Sequence, residues 1–375
     1  MEQVKRVAIY VIRLLALPIL LLGGIELVLR LCFGMPRGQF CALFSGPNGL
    51  YPPSRRMVVD FGVVPYVLES NSLGFRGPEI SIQKPPGVFR IAALGDSMTD
   101  GFFVDNDATF PYLLQQNLQK QDWSVEVVNA AHGGGTIDTE FAMLEEHVLA
   151  LNPDLVILTW TLNDIDDLMS GTPTQMPGAD FASGPRAALG WLACHSATSE
   201  GLLDIYFRSL SDKYRWLTRR SGELILDDRR YQVPGNTDFA QNAQYTLNVA
   251  GMDGQVIVEP FTPSTEAAIQ IYLQWLHRMN QVLRASRVQF VFVYLPAYSQ
   301  VYVPGSSVRM RDILREECAR LEVPFLDLMP VFQERGQQQG LDLAPLDYHL
   351  NPYGNQVVAN ALADFLQSAG LLPAE

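Results

Sequence analysis

Five short runs of apolar and β-branched residues limit what this chain can fold into: VFRIAAL (88–94), SVEVVNA (124–130), DLVILTW (154–160), VQFVFVYL (288–295) and VPFLDL (323–328). Runs of this length without polar alternation fit strands buried on both faces, the condition of a parallel sheet. Segments of 3.6-residue period follow them: TFPYLLQQNLQK, TEFAMLEEHVLAL, STEAAIQIYLQWLHRMNQVL, VRMRDILREECARL and YGNQVVANALADFLQ. Strand and helix alternating in this way predict an α/β fold with an open, doubly wound, five-stranded parallel sheet, in which ligands bind at the carboxyl ends of the strands. About 125 residues separate the third run from the fourth, where a crossover needs a dozen or more, so something is inserted there. The stretch at about 171–263 predicts a partly helical cap with short strands or loops over the strand ends. Its aromatics Trp191, Tyr206, Phe207, Tyr214 and Trp216 are candidates for a cleft lining as well as for core.

Ahead of the sheet the chain reads differently. Lys5 and Arg6 precede an apolar stretch from Val7 to Phe33, interrupted by Arg13, Glu26 and Arg30. Spanning a hydrocarbon core takes about 20 residues, and Val7 to Ile25 reaches that length. Glu26 and Arg30 stand four apart, where they can pair on one helical face. No small-residue cleavage site follows, so an uncleaved single-pass signal anchor in the cell membrane is expected, with a hydrophobic amphipathic helix lying on the membrane or packed on the body as the alternative. Lys5, Arg6 and Arg13 before the span outweigh Arg30 and Arg37 after it, which favours a body outside the cytoplasm, periplasmic or extracellular. The chain then divides into an anchor at 1–36, a linker and preamble at 37–87, and a main domain at 88–375 carrying the insertion.

Composition closes off other classes. A formal net charge of −13 argues against a surface that neutralises phosphates, hence against nucleic-acid partners. The cysteines Cys32, Cys41, Cys194 and Cys318 show no C-x-x-C spacing, so no metal or redox site is suggested. In an exported body Cys194 and Cys318 are candidates for a disulfide.

The residues just after the strands carry the chemistry. Gly95-Asp96-Ser97 follows the first strand, which places a serine hydroxyl at a helix N-terminus, or makes it an N-cap. Asn129-Ala130-Ala131-His132-Gly133-Gly134-Gly135 follows the second, and its glycines let backbone N–H groups face a ligand. The HGGG string occurs in α/β-hydrolases ahead of a G-x-S-x-G elbow, whereas here it comes after the serine and position 99 is Thr. No Walker-type lysine follows it, which removes a phosphate loop. After the third strand, the Asn163 amide can donate to an oxyanion, and Asp164, Asp166 and Asp167 read as a solvated acidic turn. Before the last helix, Asp347 and His349 point the same way in extended chain, and of the five histidines only His349 has a carboxylate two residues away. A carboxylate that fixes an imidazole, and an imidazole that takes a serine proton, are what acyl transfer requires.

Taken together in this order, the blocks resemble the SGNH, or GDSL-type, hydrolase family: Gly95-Asp96-Ser97, then Gly134 after Asn129, then Asn163-Asp164, then Asp347 and His349. The likeness spans roughly Val88 to Thr161 and Val288 to Gly370 and leaves the insertion unexplained. It implies a flavodoxin-like three-layer fold and a serine esterase. Ser97 would be nucleophile, His349 base then acid, and Asp347 its orienter, with an oxyanion hole from the N–H groups of Ser97 and Gly134 and the Asn163 amide. No cofactor and no metal are implied. Many members space acid and histidine as D-x-x-H; this chain has D-x-H, as do exported polysaccharide O-acetyltransferase relatives such as the alginate acetylation proteins, and Asp342 is the alternative acid. Asn71-Ser72-Leu73-Gly74-Phe75-Arg76-Gly77 resembles a preamble of membrane-anchored bacterial members; a turn that packs Phe75, with Arg76 pairing an acid, is expected there. The expected substrates are O-acylated glycans or lipid-like esters at the envelope. O-acyl transfer to an envelope polysaccharide and non-catalytic glycan binding on the same fold are the alternatives.

Overall fold

The computed structural model describes residues 49–59, 64–170, 256–257, 259–302, 306–343 and 347–373, and outside these 16, 18, 20–32, 192, 195–203, 205, 223–226 and 229–232. Its centre is a parallel sheet of β3 (Phe89–Leu94), β4 (Val125–Asn129), β5 (Leu155–Trp160), β8 (Gln289–Tyr294) and β9 (Phe325–Asp327), in spatial order β4-β3-β5-β8-β9. Every pairing is parallel, with Ile91 opposite both Val127 and Leu155, and Leu158 opposite Phe292. This is the doubly wound order expected from the sequence. The five apolar runs form its five strands.

Alternate residues of each strand supply two cores. Ala92, Leu94, Val156 and Leu158 face α3 (Ile137–Met143), α5 (Pro263–Ala285) and α7 (Arg309–Arg320), meeting Phe141, Tyr272, Leu276, Met279 and Leu314. Ile91, Val127, Ile157 and Val291 face the other way, onto Phe110, Leu114 and Leu118 of α2 (Phe110–Gln119), and onto Val358, Leu362 and Leu366 of α9 (Pro352–Ser368). A fully buried side chain of this kind contributes about 1.5–3 kcal/mol, and that is why the strands carry no polar face.

Several local expectations are corrected. The linker and preamble contain an antiparallel hairpin, β1 (Arg56–Val59) with β2 (Tyr66–Glu69), whose Met57, Val59, Tyr66 and Leu68 bury against Tyr51 and Phe103. The acidic turn after β5 is a helix, α4 (Asn163–Ser170), and Asp164 is fully buried in it rather than solvated. Periodicity also passed over the four-residue α1 (Ser97–Asp100) and over α6 (Tyr298–Tyr302) and α8 (Met329–Gly336), all too short to show a repeat. The helix foreseen after β4 ends at Met143 and continues as a π turn at Leu144–Val148. Cys318 is a free, buried thiol whose pKa burial pushes up to about 12; Cys194, named as its candidate disulfide partner, lies outside the described residues.

Of the insertion, a helical stretch at 197–203 and an antiparallel pair, β6 (Glu223–Leu226) with β7 (Arg229–Gln232), are described. The five aromatics named as candidate lining lie outside the described residues. So does most of the apolar stretch before residue 20; among the described residues no helix is long and apolar enough to cross a membrane. The helix at 20–32 leaves Leu20, Leu21, Leu22, Ile25, Leu27, Val28 and Leu31 exposed. Its Glu26 and Arg30 do pair, at 2.7 Å. Glu26 also accepts from the N–H groups of Ala197 (2.9 Å) and Thr198 (2.8 Å), the start of the insertion's helix.

Candidate active site

The chain leaves β3 through a turn that only glycine permits. Gly95 has φ 154°, and a Cβ there would stand 2.2 Å from the Thr99 hydroxyl oxygen and 2.8 Å from its Cβ. Asp96 then caps α1, its Oδ1 accepting from the Met98 N–H at 2.9 Å. Ser97 is thereby the first helical residue, and its N–H has no acceptor within so short a helix.

His349 reaches this serine from the far end of the chain. The loop before α9 is pinned by Asn351, which accepts from the Gly354 N–H and donates to the carbonyls of Gly340 and Asp342. Leu343 N–H donates to the His349 carbonyl. Held there, His349 Nε2 lies 2.7 Å from Ser97 Oγ, and Nδ1 lies 2.5 Å from Asp347 Oδ1. The same Oδ1 accepts the His349 backbone N–H at 2.9 Å, so the D-x-H spacing closes a compact turn in which one oxygen holds both backbone and ring. Asp342, the alternative acid, bridges by its backbone to Leu350 and lines the neighbouring cavity. Phe102 stacks on the imidazole with centroids 5.5 Å apart, and Phe103 meets it edge-on at 5.2 Å.

The other expected residues come from adjoining strand ends. The glycine loop docks on the elbow through His132 N–H, which donates to the Gly95 carbonyl at 3.1 Å, and Gly134 in this loop has φ 74°. A Cβ at Gly133 would stand 2.3 Å from the Phe102 ring, so glycine there admits the ring that covers His349. His132 is buried, which lowers its pKa to about 4, and it takes no part in the serine–histidine contact. Asn163 opens α4, and its Oδ1 lies 2.7 Å from the Thr161 hydroxyl while Nδ2 donates to Asp167 at 3.3 Å. Thr161 Oγ1 is also 2.6 Å from Asp96 Oδ2, so one hydroxyl proton is shared between the serine turn and the asparagine turn. That arrangement engages the Asn163 oxygen with Thr161 and one amide hydrogen with Asp167.

Beneath the turns lie three carboxyl groups from three elements: Asp96, Glu140 on α3 and Asp164 on α4, all buried. Neither Glu140 oxygen has a hydrogen-bond partner among the described residues, nor has Asp164 Oδ1. Burial first, and the neighbouring carboxyls next, hold the pKa values of Glu140 and Asp164 well above the ordinary range. Among the described residues no cluster of histidine, cysteine and acids could hold a metal.

Ser97, Asn163, Asp347 and His349 open onto a cavity of about 370 Å³. Its far wall is apolar, made by Leu295, Val301, Phe332 and Leu341, with Ile257 contributed by the insertion and Tyr298, Tyr302 and Tyr348 at its side. A hydroxyl bonded to an imidazole, an imidazole bonded to a carboxylate, and donors on neighbouring loops are the parts of an acyl-transfer site.

The family model described as GDSL-like Lipase/Acylhydrolase matches residues 93–357. The chain belongs to this family. GDSL-like acylhydrolases break ester bonds, and the triad geometry lies within the matched segment. Among solved structures, the protein is similar to the acetyl xylan esterase AlAXEase, with 15% identity and TM-score 0.41 over 74% of this chain and 98% of that one. A lipase/acylhydrolase from Enterococcus faecalis shows 13% identity and TM-score 0.40, over 76% and 98%. A catalytic mutant of Axe2, an acetylxylan esterase from Geobacillus stearothermophilus, shows 13% identity and TM-score 0.41, over 76% and 97%. No curated protein matches the chain.

Sequence reasoning passed over three residues at this site, Thr161, Phe102 and Phe103. Thr161 gave no signal beyond its place at a strand end. Phe102 and Phe103 stand in none of the motifs. Arg76 was expected to pair an acid; instead it donates to the carbonyls of Asp100 (2.9 Å), Gly101 (2.7 Å) and Val104 (2.5 Å), while Phe75 packs into the core as expected. The acid nearest in charge, Asp100, takes a 2.6 Å hydrogen bond from the Tyr51 hydroxyl, and burial raises its pKa to about 6.

Proposed function

We propose that the protein is a membrane-anchored serine esterase that works through an acyl-serine intermediate. The observation that carries this is the unbroken line from Ser97 Oγ through His349 to Asp347, at 2.7 and 2.5 Å. Ser97 Oγ attacks the ester carbonyl as His349 Nε2 takes its proton, and Asp347 holds the imidazole and the positive charge it acquires. The N–H groups of Ser97 and Gly134 and the Asn163 amide stabilise the tetrahedral oxyanion. Collapse breaks the ester C–O bond, and the departing alkoxide takes the proton from His349. Water then attacks the acyl-serine, giving its proton to His349, which returns it to Ser97 as the carboxylic acid leaves. No step needs a cofactor.

The apolar cavity supports a lipid-like acyl or alcohol group over a small polar one. The apolar stretch from Val7 to Phe33, with its exposed leucines at 20–32, supports anchoring in the cell membrane with the body outside the cytoplasm and the substrate, an O-acylated glycan or lipid-like ester, at the envelope. A second reading, O-acyl transfer to a glycan hydroxyl, draws on the D-x-H spacing and the three cavity tyrosines, which offer an acceptor surface. It differs only in which hydroxyl attacks the acyl-serine.

The test is hydrolysis of p-nitrophenyl esters from acetate to dodecanoate by the full chain in detergent, beside Ser97→Ala and His349→Ala, with and without an oligosaccharide acceptor. The esterase reading expects release that depends on both residues and rises beyond acetate. Acyl groups found on the sugar would decide for transfer. Release unchanged in Ser97→Ala would sink both readings.

A further inference from the structure

The Arg76 guanidinium lies outside the family-matched segment and yet grips the loop that follows the serine helix. It is buried, 3% exposed, and spends its donors on one stretch of chain: the carbonyls of Asp100, Gly101 and Val104, and Asn106 Oδ1 through Nε at 2.9 Å. Those carbonyls bracket Phe102 and Phe103. Phe103 has φ 64°, a left-handed conformation that a bulky residue adopts only where its surroundings impose it. The two rings bear on His349 from two directions, and Phe102 is wedged between the imidazole and Gly133 of the glycine loop. From behind, Tyr66 of the hairpin packs on Phe103 at 5.9 Å and lies under the Arg76 guanidinium at 5.4 Å. Asn129 adds a second hold on the same helix end, its Nδ2 donating to the Asp100 carbonyl at 3.1 Å.

A helix of four residues does not hold its own C-terminus. Without the guanidinium the Gly101 carbonyl keeps only the Val104 N–H, at 3.4 Å, and the Asp100 carbonyl only Asn129, and a loop held so loosely can shift and move both rings off the histidine. We propose that Arg76 is a positioning residue for the reaction: by fixing the carbonyls of residues 100, 101 and 104 it presses Phe102 and Phe103 against His349 and so sets the imidazole at hydrogen-bond distance from Ser97. The segment Asn71–Gly77 is on this account part of the working site, although it touches no reacting atom. The inference rests on the esterase reading, since it assigns a role relative to His349 as base.

Guanidinium is suited to the task and ammonium is not. Arginine presents a planar fork that can satisfy several diverging acceptors, whereas lysine places one compact charge. A misplacement of about 1 Å in a reacting group costs on the order of 10²-fold in rate. The experiment uses the full chain with Arg76→Ala and Arg76→Lys, measuring kcat and KM on a p-nitrophenyl ester, the rate of Ser97 labelling by a fluorophosphonate, and Tm, with and without added guanidinium chloride at low millimolar concentration. Ser97→Ala is run alongside, and Leu366→Ala serves as a core variant remote from the site that lowers Tm. The expected result is a kcat and labelling rate down roughly 30- to 100-fold in Arg76→Ala with KM within twofold, a smaller gain back in Arg76→Lys, and partial recovery with guanidinium. Where the alanine variant does not fold, Arg76→Lys carries the comparison through its kcat and its Tm. Ser97-dependent turnover unmoved by either substitution overturns the proposal, as does a loss that tracks Tm as it does in Leu366→Ala and is not recovered by guanidinium. Turnover that survives Ser97→Ala overturns the esterase reading instead.

Discussion

Asn163 is the residue at which orientation matters more than presence. Its oxygen is taken by the Thr161 hydroxyl and one amide hydrogen by Asp167, which leaves the other amide hydrogen for a ligand. Asn163→Ala is therefore expected to lower kcat on the order of 10²-fold with KM little changed, as removal of one oxyanion donor does elsewhere. Steady-state kinetics checks this, and a change confined to KM would contradict the assignment. Asn163→Asp, which keeps the shape and adds a charge where an oxyanion forms, is expected to cost at least as much. At this scale the sequence was readable where chemistry dictates residue type. Ser97, Asp347 and His349 could be named because few arrangements of such side chains sit at strand ends. Thr161 and Arg76 could not, because hydroxyls and guanidinium groups serve many purposes and only the fold shows which carbonyl or carboxyl they meet.

At the scale of elements, the turns that carry the site set three buried carboxyl groups near one another. Asp96 adjoins the serine helix, Glu140 belongs to the helix after the glycine loop, and Asp164 to the helix that Asn163 opens. Burial raises the pKa values of Glu140 and Asp164 in the folded state, so the native protein holds protons there that an unfolded chain would release near pH 4. Their contribution to stability is complete below that value and is lost as pH rises from it toward the raised values. Glu140→Gln, neutral at every pH and of the same shape, is expected to flatten the dependence of Tm on pH and to raise Tm at pH 8 by about 2 °C or more. Thermal denaturation from pH 5 to 9 tests it; parallel curves for the two proteins would refute the protonated state. The acidic run at 164–167 read as a solvated turn because charge is normally at the surface. It is a helix because Ile165, between two of its aspartates, reaches the core and draws Asp164 in with it.

At the scale of the whole molecule, the described part of the apolar N-terminal segment meets the insertion. Glu26 and Arg30 look like flaws in a membrane span, but in the fold they pair with each other and fasten the start of the insertion's helix. The described helix at 20–32 is about 20 Å long, short of the roughly 30 Å of a hydrocarbon core, so the proposed span needs residues before it. The full chain is expected to float with liposomes in a density gradient, and a chain lacking residues 1–36 to remain at the bottom, with ester hydrolysis kept in the soluble form. Flotation of the shortened chain would place the membrane contact elsewhere.

The sequence alone determined the sheet and its five strands, because buried strands demand unbroken apolar runs, and it named a serine, a histidine and an acid that the fold brings into one hydrogen-bonded line. Tertiary structure decided the rest. The hairpin and Arg76 read as linker, since short strands and a lone arginine show no period. Their place is set by contacts with Phe103 and with the carbonyls after Ser97, across 24 or more residues of chain. The same holds for His349 and Ser97, 252 residues apart: pattern could name both, but only the packing of α9 against α2 and the pinned loop before it brings the imidazole to the hydroxyl. Local pattern records what each segment must bury, whereas distances between segments are set by the packing of all of them at once.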